Sequence, residues 1–475
     1  RAGSLGVDLL LSEWETLLRR NHDGVPHCGH GPLLLFRRWD AKGQPRRFWA
    51  CAASRGRADN RRGDGECPAF CWDDKPRASP PGAVHKPWRE HGVGPGTVGP
   101  DLSFCTKCSE IFSPRGDASV VHAGHPAVRC ASVARPTKVL QPLSIDTKNA
   151  QYFFSSTVVA WTVGQLRREG LTRVVCLGTP RLHEELRVDD HCTSLLLDLD
   201  HRFGWFASDD FARFNMANCH FFETEGGEPP KRIRSFLRKA EAVVVDPPFG
   251  LHPAALARTL RQLWKWSFVA RKLEHSALPT ILFFPYFLAK GVSGVLPSLE
   301  MSDYEVVYDN HPTYHRRHRK RGSPVRVFSN IERSRLVLPK AEGYRLCRQC
   351  ERYVGPWNRH CPECDRCTST DGRPWVHCYE CGVCVKPDRT HCATCKRCQP
   401  PRHDCSAPPL SSGRCHVCGS TEHKRTWHDT NPSSPISEID PRIPKRIRHA
   451  ATSTQEWNVC IRRVPAKLDM PQTTT

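Results

Sequence analysis

Between residues 149 and 338, short apolar runs alternate with amphipathic stretches, and outside this window periodicity is slight. Runs at 174–177, 195–199, 219–222, 242–245 and 281–287 have the length and the Val, Leu, Ile and Phe content of strands buried on both faces. Segments 157–169, 232–240 and 253–273 carry apolar residues at helical spacing. Two later runs, 304–308 and 325–328, predict a hairpin joined by the basic loop 315–321. Strand and helix in alternation predict an α/β domain with a doubly wound sheet of the nucleotide-binding kind.

The flanks are of different composition. Residues 1–130 are rich in Gly, Pro, Arg and Cys, and residues 347–428 hold fourteen cysteines with few aliphatics. Such segments cannot fold on apolar burial, so bound metal must supply much of their stability. Beyond residue 429 the chain is polar, basic and rich in Pro, Ser and Thr, the composition of a disordered tail. A chain of 475 residues has room for roughly three domains of about 150 residues.

The run 242–245 ends in Asp246-Pro247-Pro248-Phe249. A carboxylate and a proline carbonyl can both accept hydrogen bonds from a flat exocyclic amine, while Phe249 offers a face on which a base stacks. Alone, the tetrapeptide reads equally as a strand stopped by a rigid turn. Set in an α/β pattern beside nucleic-acid-type metal clusters, it points to N-methylation of a nucleobase, with Asp246, Pro247, Pro248 and Phe249 as the catalytic residues.

The donor side follows in order along the chain. The run 174–177 ends in Gly178, Thr179, Pro180, Arg181 and Leu182, a turn into a helix, and the run 195–199 closes around Asp198 and Asp200, acids placed to bind ribose hydroxyls. Gln151, Tyr152 and Phe153 ahead of the first helix, with Asn215 and Met216, are expected to cover the adenine and methionine parts of S-adenosylmethionine, and Asp246 to border it.

The chain has 25 cysteines, largely in C-x-x-C pairs followed by histidines, which is zinc-ligand chemistry and implies a reduced, intracellular protein. A run H-C-x-x-C-x-x-C occurs three times, and with its flanks supplies sixteen ligands for four tetrahedral sites. The interleaved grouping is Cys347, Cys350, His360 and Cys367; Cys361, Cys364, His377 and Cys384; Cys378, Cys381, His391 and Cys398; and Cys392, Cys395, His403 and Cys405. A swap of a neighbouring His or Cys between sites is the alternative. Cys105, Cys108, His122 and His125 form a two-Cys, two-His set, and Cys28, His30, Cys51 and Cys67 another. Cys415, Cys418, His423 and His428 have zinc-knuckle spacing, with His428 where a cysteine is usual. The expectation is about seven zinc ions. Cys71, Cys130, Cys176, Cys192, Cys219 and Cys460 are left over.

Lys plus Arg number 70 against 49 Asp plus Glu, a net charge of +21, which favours a polyanionic partner. The longest apolar run, 280–289, is about half of what a spanning helix requires, so no membrane partner is expected. The basic loop 315–321 reads equally as a solvated loop or a phosphate contact. The chain opens on Arg1, so its native N-terminus is expected to lie further upstream.

Taken in order, residues 149–152 (Asn-Ala-Gln-Tyr), 178–184 (Gly-Thr-Pro-Arg-Leu-His-Glu), 195–198 (Leu-Leu-Leu-Asp), 246–250 (Asp-Pro-Pro-Phe-Gly), 284–287 (Phe-Pro-Tyr-Phe) and 309–311 (Asp-Asn-His) resemble the zinc-finger CCHC-domain-containing rRNA N6-adenosine methyltransferases. The resemblance implies a class I (Rossmann-like) S-adenosylmethionine-dependent methyltransferase domain over 145–340, a GRF-type finger over 20–75 and a two-Cys two-His finger over 100–130. A DHHC-like array over 344–406, a CCHC-type knuckle over 413–428 and a disordered tail over 429–475 complete it. It further implies N6-methylation of one adenosine in large-subunit (28S) ribosomal RNA, further partners among RNA-binding and ribosome-assembly proteins, and a nucleolar and cytoplasmic distribution. His428 departs from the family's pattern, as does a tail without the expected Lys/Arg-rich ending. A palmitoyltransferase, suggested by the cysteine array, would need an Asp-His-His-Cys stretch between membrane helices, and the chain has neither. A non-catalytic zinc protein and methylation of other RNA or DNA are the remaining alternatives.

Overall fold

The computed structural model describes residues 7–11, 15, 25–39, 45–52, 67, 69–74, 102–115, 118–143, 151–206, 209–224, 227–268, 277–312 and 322–405. Contacts divide the chain into two units, one of Arg1–Val7, Arg38–Gln44 and Arg402–Thr475, the other of Asp8–Arg37 and Pro45–Pro401. The larger unit is built on an eight-stranded mixed sheet. Its strands are β1 (Arg173–Leu177), β2 (Thr193–Asp198), β3 (Phe211–Asn215), β4 (His220–Phe221), β5 (Ala242–Val245), β6 (Thr280–Pro285), β7 (Glu300–Glu305) and β8 (Val325–Ser329). The spatial order is β4-β3-β2-β1-β5-β6-β8-β7. The five strands from β3 to β6 are parallel, and antiparallel β4 and the β8-β7 pair close the two edges.

Strand periodicity divides the core. Val174, Cys176, Leu196, Val244 and Phe283 face one side with α1 (Ser156–Arg168) and α2 (Pro180–Arg187). Val175, Leu177, Leu197, Val243, Val245 and Phe284 face the other, under α3 (Lys231–Arg238), α4 (Pro253–Trp266) and α5 (Ala289–Val295). Because both faces are covered, the central strands read as unbroken apolar runs. α1 starts where the side chain of Ser155 accepts from the Val158 N–H, and α4 opens on Pro253 after His252 caps Ala254 N–H.

Three sequence expectations change. The run 219–222 is not the third parallel strand but the two-residue antiparallel β4; the parallel strand is β3, whose Phe-Ala-Arg-Phe-Asn sequence is broken by Arg213, stacked 4.3 Å over Phe222. The helix starting at residue 253 ends at Trp266, where Ser267 turns extended and donates its hydroxyl to the Ala240 carbonyl at 2.9 Å. The run 304–308 leaves the hairpin after Glu305, and Tyr308 pairs instead with Phe154 through an isolated bridge. The loop 315–321, the tail and the knuckle ligands Cys415, Cys418, His423 and His428 lie outside the described residues.

The zinc-type modules are short hairpins. In five of them the residue after the second cysteine of C-x-x-C sits in the left-handed region: Ser109 (φ 59), Glu351 (φ 50), Asp365 (φ 47), Gly382 (φ 63) and Lys396 (φ 49). Only a strong local constraint holds a non-glycine there.

Candidate active site and metal centres

The carboxyl ends of β1, β2 and β5 are stitched together by main-chain hydrogen bonds. Asp246 N–H donates to the Leu177 carbonyl at 3.1 Å, and Gly178 N–H to the Leu197 carbonyl at 2.9 Å. Gly178 has φ +67, and a Cβ there would lie 2.8 Å from Met216 Cε and 2.9 Å from the Asp246 carbonyl oxygen. The turn therefore requires glycine twice over, for its backbone and for the close approach. Met216, in turn, is held by Thr259, which donates its hydroxyl to the Met216 carbonyl at 2.8 Å.

Asp246 keeps partial exposure, Pro247 is buried, Pro248 is exposed and Phe249 is half-buried. The Pro248 carbonyl accepts from Leu251 N–H at 2.7 Å, whereas the Pro247 carbonyl has no such partner among the described residues. Burial drives the Asp246 carboxyl well above the ordinary carboxylate range, and the Tyr308 hydroxyl, donating to Oδ1 at 2.9 Å, works against that shift.

The other acids differ in availability. Asp198 ends β2, accepts from Asp200 N–H at 2.9 Å, and is pushed up to about 7 by burial and by Asp200 beside it. Both oxygens of Asp200 are engaged by Arg202, at 2.9 Å to Oδ1 and 2.8 Å to Oδ2, and Gln151 donates to Oδ2 at 3.3 Å. Thr179 is buried in the turn after β1, next to the Cys176 thiol.

Several candidates act as framework. Asn215 donates its side-chain amide to the His30 carbonyl at 2.8 Å, tying the sheet to the N-terminal finger. Leu182 is a fully buried core residue of α2, and Pro180 is the first residue of that helix. Arg181 donates to the Phe154 carbonyl at 2.8 Å and pairs with Asp309. Phe153 N–H donates to Asn310 Oδ1 at 2.7 Å, and the Tyr152 ring lies 4.3 Å from that of His311. Thus 151–154 and 308–311 form one strap over the crevice. Sequence reasoning missed Arg202 and Tyr308; for Tyr308 the signal was a tyrosine within a buried run, whose hydroxyl needs a partner.

Among the described residues, groups of four side chains that bring their donor atoms within 4.8 Å of one another include Cys28, His30, Cys51 and Cys67; Cys105, Cys108, His122 and His125; Cys347, Cys350, His360 and Cys367; Cys361, Cys364, His377 and Cys384; and Cys378, Cys381, His391 and Cys398. Their sulfur-to-imidazole distances, such as 3.3 Å for Cys350 to His360 and 3.5 Å for Cys361 to His377, match the edge of about 3.5 Å of a zinc tetrahedron. Cys364 and Cys384 sulfurs lie 3.8 Å apart, far beyond a disulfide. His122 Nδ1 is buried without a hydrogen-bond partner among the described residues, an orphan of the kind a metal satisfies. These residues fit zinc. In the fourth array set, Cys395 N–H donates to Cys392 Sγ at 3.4 Å, and His403 Nε2 lies 3.1 Å from Cys405 Sγ. Among the described residues no helix is long and apolar enough to cross a membrane.

A mixed α/β sheet carrying Asp-Pro-Pro-Phe where a central strand ends, beside a glycine turn, has the architecture of an adenine-N6 methyltransferase. Residues 145–309 match the family described as probable N6-adenine methyltransferase. Over the longer chain, the rRNA N(6)-adenosine-methyltransferase ZCCHC4 of Homo sapiens is 37% identical over 435 residues, 85% of this chain and 82% of the relative. That of Xenopus tropicalis is 38% identical over 390 residues, 75% and 76% of the two chains, and that of Mus musculus 36% over 434 residues, 85% and 82%. The chain belongs to the ZCCHC4 family of methyltransferases.

Proposed function

We propose that this chain transfers a methyl group to N6 of one adenosine in large-subunit (28S) ribosomal RNA, as a class I enzyme whose donor binds over Gly178 and Asp198. The observation that carries the chemistry is Asp246 at the end of β5, stitched to the glycine turn and holding one carboxylate oxygen free of partners among the described residues. The ribosomal substrate rests on the relatives' names.

S-adenosylmethionine, when bound, supplies an electrophilic methyl group on a sulfonium. The protein's own part is acceptance and placement. The adenine N6 lone pair is delocalised into the ring, so Asp246 Oδ2 and the Pro247 carbonyl accept its two N–H bonds and localise it. Phe249 stacks the base, which must be unpaired or flipped to reach the pocket. Asp246 need not be a strong base, because the amine becomes acidic only on methylation; alignment supplies most of the rate gain. The fingers, the array and the knuckle bind zinc, seven ions in all, and grip the RNA. A nucleolar and cytoplasmic distribution and association with ribosome-assembly proteins fit such a substrate.

Purified full-length protein, incubated with labelled methyl donor and deproteinised total RNA or DNA, should label one adenosine of large-subunit RNA. Asp246→Ala should lower the rate by at least about 100-fold while donor affinity holds. Label in DNA or messenger RNA alone would overturn the substrate assignment, and an active Asp246→Ala would overturn the mechanism.

A further inference from the structure

Tyr308 is fully buried, and its place is set by main-chain bonds. Phe154 and Tyr308 form a bridge, Ser155 N–H donates to the Val307 carbonyl at 3.1 Å, and Asp309 N–H to the Phe153 carbonyl at 2.9 Å. Around its ring stand Phe154 at 5.5 Å, Tyr152 at 6.0 Å and Phe249 at 6.0 Å. The hydroxyl points from this frame to Asp246 Oδ1 at 2.9 Å. A buried phenol needs an acceptor, but here the acceptor is the catalytic carboxylate itself.

Resting on the methyltransferase reading above, we propose that Tyr308 is the positioning residue for Asp246: its O–H holds Oδ1, fixes the carboxylate plane and leaves Oδ2 turned to the substrate amine as an ionised acceptor. A carboxylate in a crevice can rotate about its last bond, and rotation would move the acceptor off the amine. One charge-assisted hydrogen bond from a rigidly framed donor removes that freedom.

Among the described residues no neighbouring cation substitutes for the phenol. Arg181 is engaged by the Phe154 carbonyl and Asp309, Arg202 by Asp200, and Arg326 by the Ser323 and Val325 carbonyls at 2.6 and 2.9 Å. Other titratable groups on the packed elements include Asp198, Asp200, Asp309, Cys176, Tyr152, Tyr286, His311, His183, Glu184 and Arg187, and among the described residues only Tyr308 bonds to the Asp246 carboxylate. Burial holds the Asp246 carboxyl up, so the ionised form is lost as pH falls through a value above the ordinary range. Removing the phenol O–H, which favours the ionised form, must move that loss to still higher pH. Asp198, at about 7, adds an acid limb of its own, but one that does not move with Tyr308.

The test uses full-length, zinc-replete protein and the RNA substrate. Turnover is measured across pH for wild type and Tyr308→Phe, alongside donor affinity by calorimetry and the melting temperature. Tyr308→Phe should lower kcat near neutrality by about tenfold or more, recover toward wild type as pH rises, and shift the acid limb upward by about half a unit or more. Donor affinity should stay within about twofold, because the phenol acts on the acceptor side. A loss equal at every pH, or no loss, overturns the proposal. Should Tyr308→Phe fold poorly, 3-fluorotyrosine at position 308 keeps the shape and strengthens the donor; its acid limb should move downward, and an unmoved limb overturns the proposal equally. If wild type methylates no RNA, the functional reading fails. If wild type and Asp246→Ala behave as stated but the Tyr308 variants keep the wild-type profile, only this inference fails.

Discussion

Phe249 is the residue whose two duties are easiest to separate. It is half-buried and sits edge-on to Tyr308 at 6.0 Å, so one part of the ring packs on the strap and the rest faces the crevice. If the exposed face carries a stacked base, Phe249→Ala should weaken RNA binding at the target adenosine by about 1–3 kcal/mol. Binding of a substrate with an abasic site at that position should be unaffected; an equal loss there would make the ring a packing element only. The turn at Asp246-Pro247-Pro248-Phe249 was legible in the sequence because two consecutive prolines cannot continue a central strand. Tyr308 was hidden for the opposite reason. Its run reads as one more buried strand, and only the crossing to Phe154, a contact distant in sequence, turns its hydroxyl toward the acid.

The elements explain why a single glycine counts for more than its weak sequence signal. Gly178 lies between β1 and α2 with its Cα pressed against the β5 end, so a methyl group there meets the Asp246 carbonyl, a backbone atom that cannot yield, as well as the flexible Met216 tip. Gly178→Ala should therefore cost on the order of 1–2 kcal/mol in backbone strain alone. It should also weaken donor binding at least about tenfold by spreading the β1 and β5 ends. A variant that binds S-adenosylmethionine like wild type, by calorimetry, would place the donor elsewhere. The parallel strands β1, β2, β5 and β6 were legible because strands covered on both faces must be apolar throughout. β3 was not, since Arg213 interrupts it and finds a neighbour in Phe222 that only the fold provides. Asn215, at the end of β3, sends its amide across to the His30 carbonyl, a contact that only the fold provides.

At the scale of the molecule, the zinc-type modules are not all hung on the sheet in the same way. Asn215 and Asn218 both donate to the His30 carbonyl, at 2.8 and 3.1 Å, and flank Met216 one residue before and two residues after it, so the first finger braces the turn that carries Met216. Phe104 of the second finger lies in the sheet's own core, 5.6 Å from Phe206. The array is pinned to β7 through Asp303, which accepts from Arg352 at 2.9 Å, Gly355 N–H at 2.8 Å and Asn358 at 2.6 Å. Its second set, Cys361, Cys364, His377 and Cys384, contributes none of those contacts. One base cannot identify a site among thousands, so selection must come from such outlying surface, aided by a net charge of +21. Two substitutions then separate bracing from targeting. Cys361→Ser should lower the zinc count by one in native mass spectrometry, leave donor affinity unchanged and weaken RNA binding with a shallower salt dependence, as fewer counterions are displaced. Cys28→Ser should lose one zinc as well but also weaken S-adenosylmethionine binding, because the His30 loop no longer holds Asn215 and Asn218. Equal donor affinity in both variants would show that the N-terminal finger, like the outer array, serves the RNA alone.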